Sequence, residues 1–237
     1  MMNTQIKAVP CQACEVRGKC IFSDLEMCYL EEVSEAKNFN HYKKGSVIFH
    51  ENNYPLGLYG VFQGKVKMYK TAETGKEHII RLAKEGDVLG YRSLISGEKY
   101  EVSAMALEDC HVCFVPKNIF METLRKSHNL TEKVMELLTS DLRLAEEKIT
   151  DLAQKTVKER VAETILMLKQ FYGLEKDGKT INVTLSREDL ANLVGTATET
   201  LIRSLSEFKK NEVIDLKGKK ILILNFKLLE RIANNFD

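Results

Sequence analysis

The sequence predicts an α+β chain: an N-terminal antiparallel β-roll of the jelly-roll kind, one long helix, and a C-terminal winged helix-turn-helix. Three observations carry this. Between about residues 36 and 116, short alternating apolar runs are punctuated by glycines at 45, 57, 64, 75, 86 and 97, the turn spacing of a sandwich or barrel. From about Asn129 to Lys155 no glycine or proline interrupts a run of helix formers. Beyond about Thr156, two capped helical segments flank a Val-Gly-Thr turn and are followed by two short strand-like runs. The expected domains are a cysteine-bearing arm over 1–30, a β-roll over 31–128, the long helix over 129–155 and the helix-turn-helix domain over 156–237.

Composition bounds the function. Of 237 residues 44% are hydrophobic, enough for a real core and too many for wholesale disorder. Lysine plus arginine number 35 against 34 acids, a balance that excludes a uniformly basic nucleic-acid coat while leaving room for charge to segregate between domains. No run approaches the roughly 18 apolar residues of a membrane span. The segment Met1 to Pro10 has no apolar stretch of the secretory kind, so a cytoplasmic protein with no membrane partner is expected.

The β region contains runs such as Ser46-Val47-Ile48-Phe49, Leu58-Tyr59-Gly60-Val61-Phe62 and Lys65-Val66-Lys67-Met68-Tyr69, and no helical period survives in it. Along the long helix, Val134, Leu138, Leu142, Ala145, Ile149 and Leu152 form one stripe. A second, broken stripe runs through Leu130, Leu137 and Leu144 and continues in the charged Glu147 and Asp151. At 1.5 Å per residue such a helix is about 38 Å long. Two stripes predict one face on the chain's own β domain and the other on a partner copy, with Leu137, Leu144, Glu147 and Asp151 at the seam. The competing reading is a solitary core helix with a solvated face.

Ser186-Arg187-Glu188-Asp189 carries a capping-box pattern and opens a helix whose apolar side holds Leu190 and Leu193. Thr196-Ala197-Thr198-Glu199 repeats the pattern and launches a second helix to about Lys210. There Leu201, Leu205 and Phe208 share a buried stripe, and Thr198, Glu199, Ile202 and Arg203 share another face near the N-terminal end. In such a motif the second helix enters the major groove of double-stranded DNA. Arg203 is suited to a bidentate contact with guanine, and Glu199 to cytosine N4 or to capping Thr196. Ser186 joins the DNA-contacting set at the start of the first helix. Val213–Leu216 and Ile221–Leu224 then read as a hairpin whose tip carries Lys217, Lys219 and Lys220, suited to phosphate contacts or to plain solvation.

In a reducing compartment the six cysteines are better metal ligands than disulfide partners. Cys11, Cys14, Cys20 and Cys28 cluster near the start, with Cys110 and Cys113 forming a later pair. The first four have the donor set of a structural zinc site, and Cys113 in a strand is equally readable as a small buried hydrophobe.

The order of these parts resembles the CRP/FNR family of bacterial transcription regulators over nearly the whole chain. Leu185 to Leu205 looks like its DNA-binding signature, and Tyr42 to Phe49 and Leu82 to Gly90 look like its cyclic-nucleotide-binding-like β-roll. By that resemblance Glu199 and Arg203 fall at base-contacting positions, with Ile202 where the family often has a small residue. A thymine methyl contact is then available to Ile202. Cyclic-nucleotide binders of the family hold the cyclic phosphate with an arginine, and here Val102 stands in its place. Cyclic AMP is therefore not expected. The oxygen-sensing FNR branch has Cys-x2-Cys-x5-Cys and a late fourth cysteine. Cys11, Cys14, Cys20 and Cys113 match, which implies ligation of a 4Fe–4S cluster.

The resemblance further implies that an intact cluster favours a homodimer, which sets two recognition helices on a palindromic site and engages RNA polymerase. Oxygen or nitric oxide attacking the cluster would weaken the dimer. Glu147 falls where FNR-like proteins carry an acid whose repulsion across the seam disfavours the dimer without the cluster. Cys28 and Cys110 are read as spectators. The alternatives are the same fold with zinc or no metal, responding to a small effector in the β-roll, and a cupin-like metal enzyme. The five histidines show no His-x-His spacing that such an enzyme needs, so no catalytic residue is expected.

Overall fold

The computed structural model describes residues 9–234; the first eight residues of the expected arm and the last three of the chain lie outside them. Two compact units divide the chain. One holds the residues up to Thr71 with Ile80–Leu142, the other Ala72–Ile79 with the chain from Arg143 onward. The boundary falls inside the long helix instead of at its ends.

The first unit opens with two 3₁₀ turns, Cys11–Ala13 and Arg17–Lys19, followed by helix α1 (Met27–Ala36). Eight strands follow: β1 (Asn38–Tyr42), β2 (Val47–Phe49), β3 (Gly57–Gln63), β4 (Val66–Thr71), β5 (Glu77–Ala83), β6 (Val88–Leu89), β7 (Ser103–Ala106) and β8 (Cys110–Pro116). They form two four-stranded sheets, ordered β1-β8-β3-β6 and β2-β7-β4-β5. Pairing is antiparallel, as in Asn38↔Phe114 and Val66↔Ala106, the β-roll that the glycine spacing predicts. Helix α2 (Tyr91–Ser96) interrupts it between β6 and β7, although periodicity predicts no helix there. Six residues are too few to display a helical period. Gly90 and Gly97 bracket them in the left-handed region, and burial of Tyr91 and Leu94 holds the turn in place.

Helices α3 (Lys117–Lys126) and α4 (His128–Gln154) complete this part. The Ser127 hydroxyl accepts from the Leu130 N–H at the start of α4 and donates to the Glu26 carboxylate. One core lies within the β-roll, where Phe49, Val61, Val66, Leu89 and Val112 are buried. A second joins Leu30, Leu58, Val115, Phe120, Leu130 and Val134. The arm is part of that second core. Ile21, Phe22 and Leu25 are buried in it, so the arm is anchored by apolar burial, worth about 1.5–3 kcal/mol for each large side chain.

The second unit contains α5 (Val157–Tyr172), α6 (Arg187–Val194), α7 (Thr198–Lys210), a hairpin of β9 (Ile214–Lys217) and β10 (Lys220–Ile223), and α8 (Phe226–Asn234). The Thr156 side chain accepts from the Glu159 N–H and Glu159 returns the bond, a complete capping box that starts α5. Val161, Ile165, Leu190, Leu201, Leu205, Phe208 and Leu229 are buried here. Helix α8, which follows the hairpin without a signal in the sequence reading, contributes Leu229 and Ala233 to this interior.

Candidate functional site

The helix-turn-helix is α6, a turn at Gly195, and α7. Ser186 is the N-cap of α6. Its hydroxyl accepts from the Asp189 N–H at 2.9 Å and donates to the Asp189 carboxylate at 2.6 Å, so Ser186 is occupied by capping. Gly195 ends α6 at φ 74°, its N–H bonding to the Ala191 carbonyl. The Thr196 N–H bonds to the same carbonyl, which makes Thr196 part of the α6 terminus. This corrects the expected second capping box. The N-cap of α7 is Ala197 with no side-chain bond, and Glu199 is the second helical residue, free of any capping duty.

Along α7, Leu201, Leu205 and Phe208 are buried, while Glu199, Ile202 and Arg203 are exposed and Thr198 is half-buried. Ile202, 45% exposed, lies between Glu199 and Arg203 along this outward part of α7. Arg203 lies on the surface and donates to the Thr200 hydroxyl at 3.2 Å. In the wing, Lys217 pairs with Lys220 across a two-residue turn whose Gly218 has φ 61°. Lys217 and Lys219 are exposed. Lys220 is ion-paired with Glu175 at 2.6 Å, so one of the three expected phosphate-binding cations already has an acid partner. Arg187 donates to the Gly218 carbonyl at 2.9 Å and ties the wing tip to the start of α6.

Two basic residues outside the predicted set brace this motif. The Arg160 guanidinium donates to the carbonyls of Lys155, Val194 and Gly195, and Lys148 donates to the Leu193 carbonyl at 2.8 Å. Both satisfy carbonyls at the negative C-terminal end of α6. No sequence motif marks them, because their partners at the end of α6 are backbone oxygens more than 30 residues away.

On α4 the expected seam residues fall in different surroundings. Leu130 and Val134 are buried and Leu137 packs beside them against the first unit's core, so Leu137 faces inward. Glu147 pairs with Arg143 at 3.2 Å and Asp151 with Lys155 at 2.7 Å. Each acid is thereby offset by a cation on its own helix or just past its end. Leu144 is exposed, as are Met135, Leu142, Ile149 and Leu152. Leu138, of the same stripe as Leu142 and Ile149, packs against that core beside Leu137, so the exposed apolar side chains come from both stripes.

The cysteines converge. Cys11, Cys14, Cys20 and Cys113 line one apolar cavity with Phe22, Leu30, Val33, Leu58, Val88 and Val115. The enclosed space is about 50 Å³. Cys14 and Cys20 sit at the ends of the two 3₁₀ turns, and Cys113 sits in β8 opposite Phe39 and Gly60. The Cys11 N–H donates to the Ser34 hydroxyl at 2.9 Å. Gly86 lets the second turn approach: at φ 94° a side chain there would meet the Lys19 Cβ at 2.7 Å. Burial pushes the Cys113 thiol up to about 11, and burial also raises Cys20, with Cys14 and Cys11 adding to it. Four acidic groups thus share a dry space. Among the described residues, no three His, Cys, Asp or Glu side chains lie close enough to hold a single metal ion. Cys28 is exposed on α1. Cys110 is buried, its thiol donating to the Lys65 and Glu108 carbonyls.

Within the β-roll, Phe49 stacks on Tyr100 at 4.1 Å and lies 5.4 Å from Tyr59, with Val102 packed beside this group. These rings are part of the β-roll core. No helix among the described residues is long and apolar enough to cross a membrane.

Comparison with known proteins bears on both units. The cyclic nucleotide-binding domain family matches residues 39–127, and the Crp-like helix-turn-helix domain family matches residues 159–232. The fumarate and nitrate reduction regulatory protein of Vibrio cholerae is 30% identical over 95% of this chain and 91% of its own length. The electron transport regulator A of Shewanella oneidensis is 31% identical, covering 96% and 92%. Among solved structures, FixK2 from Bradyrhizobium japonicum superposes with a TM-score of 0.74 at 25% identity, covering 83% of this chain and 96% of that one. A CRP/FNR-family regulator from Thermus thermophilus gives 0.72 at 25%, covering 83% and 98%. A β-roll, a long helix and a winged reading face, matched end to end by regulators of one kind, make this chain a member of the CRP/FNR family of transcription regulators.

Proposed function

We propose that this regulator acts in the cytoplasm as a homodimer on palindromic double-stranded DNA, and that it senses oxygen, redox state or nitric oxide through a 4Fe–4S cluster. The ligands are Cys11, Cys14, Cys20 and Cys113. The observation that carries this reading is the convergence of four thiols, from two segments far apart in sequence, on one apolar cavity. Four thiolates are the donor set such a cluster requires. A structural zinc held by the first four cysteines would need Cys28, which is exposed. The relatives named for fumarate and nitrate reduction and for electron transport are consistent with redox control. A cyclic nucleotide is not the effector in this reading, because Val102 supplies no charge for a phosphate and aromatic rings occupy the β-roll interior.

When bound, the cluster supplies a site that dioxygen or nitric oxide can attack. The chain's own residues do the rest. Phe22, Leu30 and Val33 line the cavity and keep bulk water from the ligands. Ser34 fixes the Cys11 backbone, so the arm and α1 are held together. Since α1 and the start of α4 share a core, order in the arm bears on α4. Dimerisation uses Met135 and, seven residues on, Leu142, Ala145, Ile149 and Leu152, the last four at three- and four-residue intervals, the spacing of a coiled-coil seam. Twofold symmetry then aims two α7 helices at half-sites about one helical turn, 34–36 Å, apart. There Glu199, Ile202 and Arg203 read bases, and Lys217 and Lys219 hold phosphates. RNA polymerase is the partner through which the bound dimer acts.

Anaerobic purification with iron and sulfide assays, a visible spectrum, and gel-shift on a palindromic site before and after air exposure tests the proposal. We expect about four irons per chain and DNA binding that is lost in air. An iron-free chain that binds DNA equally well in both conditions would refute it.

A further inference from the structure

We propose that Lys37 is the counter-cation of the cysteine cavity, holding the Cys11 limb in place and tuning the potential of what the cavity binds. The inference rests on the cluster reading above. Lys37 is the residue at which α1 ends, and its side chain turns back to the arm. The ammonium group donates to the Val9 carbonyl at 2.6 Å and to the Cys11 Sγ at 3.2 Å. It lines the same cavity as the four cysteines.

The argument is one of charge balance. Four thiolates outweigh the charge of the core they hold, so the loaded site is net negative. Its walls are Phe22, Leu30, Val33, Leu58, Val88 and Val115, which offer no solvation. An uncompensated charge in such surroundings is strongly disfavoured. A cation in direct contact with one ligand sulfur lowers that cost, and hydrogen bonding to ligand sulfurs is a recognised lever on cluster potential. Arg17 also lines the cavity, but Lys37 is the basic side chain whose bond to a ligand sulfur is seen. The same ammonium clips the chain at Val9, so a single residue couples charge compensation to the placement of the arm. Lys37 is thus a positioning residue; it touches a ligand and not the reacting atoms.

The test uses the full chain, reconstituted anaerobically with iron and sulfide, and compares Lys37→Met, Lys37→Gln and Lys37→Arg. Readouts are iron per chain, the midpoint potential by spectroelectrochemistry, and cluster lifetime in a fixed concentration of chelator. Removing a cation disfavours the more negative, reduced form, so Lys37→Met and Lys37→Gln should lower the potential. Both should also shorten the lifetime, by about threefold to tenfold for a partly screened charge at contact distance. Lys37→Arg should keep both within about twofold. If Lys37→Met fails to fold by circular dichroism, Lys37→Gln, which keeps a donor without the charge, decides. Reference-like potential and lifetime in Lys37→Gln would overturn the proposal while leaving the cluster reading intact. A reference chain that holds no iron would overturn both.

Discussion

Asp141 ties α4 to the β-roll through a partly buried polar cluster, and its removal should destabilise the first unit measurably. The Tyr91 hydroxyl donates to the Asp141 carboxylate. Arg81 donates to the Tyr91 oxygen at 3.0 Å and lies 3.5 Å from the second Asp141 oxygen. Tyr91 is 1% exposed, and the Arg81 and Asp141 side chains are 23% and 17% exposed. A hydrogen bond to a charged partner contributes about 1.5–3 kcal/mol. Deleting one member of a fully buried pair costs about 3–5 kcal/mol, to be reduced here because both charges retain some water. Asp141→Ala should therefore cost about 2–4 kcal/mol. Tyr91→Phe leaves the Arg81–Asp141 pair and should cost about 1–2 kcal/mol. Urea unfolding read by tyrosine signals is the assay. The chain has no tryptophan, and every tyrosine except Tyr172 lies in the first unit. With an m-value of about 2 kcal/mol/M, Asp141→Ala lowers the midpoint by about 1–2 M. Midpoints for both variants within about 0.2 M of the reference chain would refute the reasoning. The pH dependence has a definite sign. Burial first, and Asp141 with it, raises the Tyr91 hydroxyl well above the ordinary tyrosine range, against the lowering pull of Arg81. The folded state thus keeps a proton that the unfolded chain gives up. Its contribution is complete below about pH 10 and declines as pH rises further.

Other outcomes follow from the two sites. Arg203→Ala should cost about 1–3 kcal/mol on a preferred site and relax base choice at one position, measured by binding to a panel of substituted half-sites. Lys219→Ala should reduce the salt slope of DNA binding by about one, whereas Lys220→Ala, whose charge is already paired with Glu175, should change it less; equal slopes would discount the pairing. Ile149→Asp places a charge on the outward row of α4, where the wild-type side chain is 67% exposed, and should shift the monomer–dimer constant of the loaded protein at least tenfold by sedimentation, equivalent to about 1.4 kcal/mol. With its thiol raised to about 11, Cys113 in the cluster-free chain should alkylate at pH 8 about a hundredfold more slowly than an exposed cysteine of ordinary pKa near 8.5.

Much of this molecule is legible because its signals are local. The Ser186–Asp189 capping box, the Leu201, Leu205 and Phe208 stripe, the glycine turns of the β-roll and the extent of the long helix each depend on neighbours within a few residues, and all appear in the structure. Local patterns also misled where two elements compete for one residue. Thr196 matches an N-cap but is used by the preceding helix, because the Ala191 carbonyl receives its N–H. Helix α2 has too few residues to display a period, and two glycines in the left-handed region bound it.

The sequence by itself determined the order of parts, the α+β class and the division of α7 into a buried and an exposed face, since helix and strand periods follow from backbone geometry alone. Tertiary structure decided what depends on contacts between distant segments. It brought Cys113 into the cavity lined by the arm's three cysteines and left Cys28 outside. It packed Leu137 and Leu138 against the first unit's core and left Leu142, Leu144 and Ile149 exposed, a division that only the facing surface can make. It also gave Lys37, Arg160 and Lys220 their partners. A charged side chain's role is set by whichever carbonyl, thiol or carboxylate the fold brings within about 3 Å, and no pattern along the chain encodes that distance.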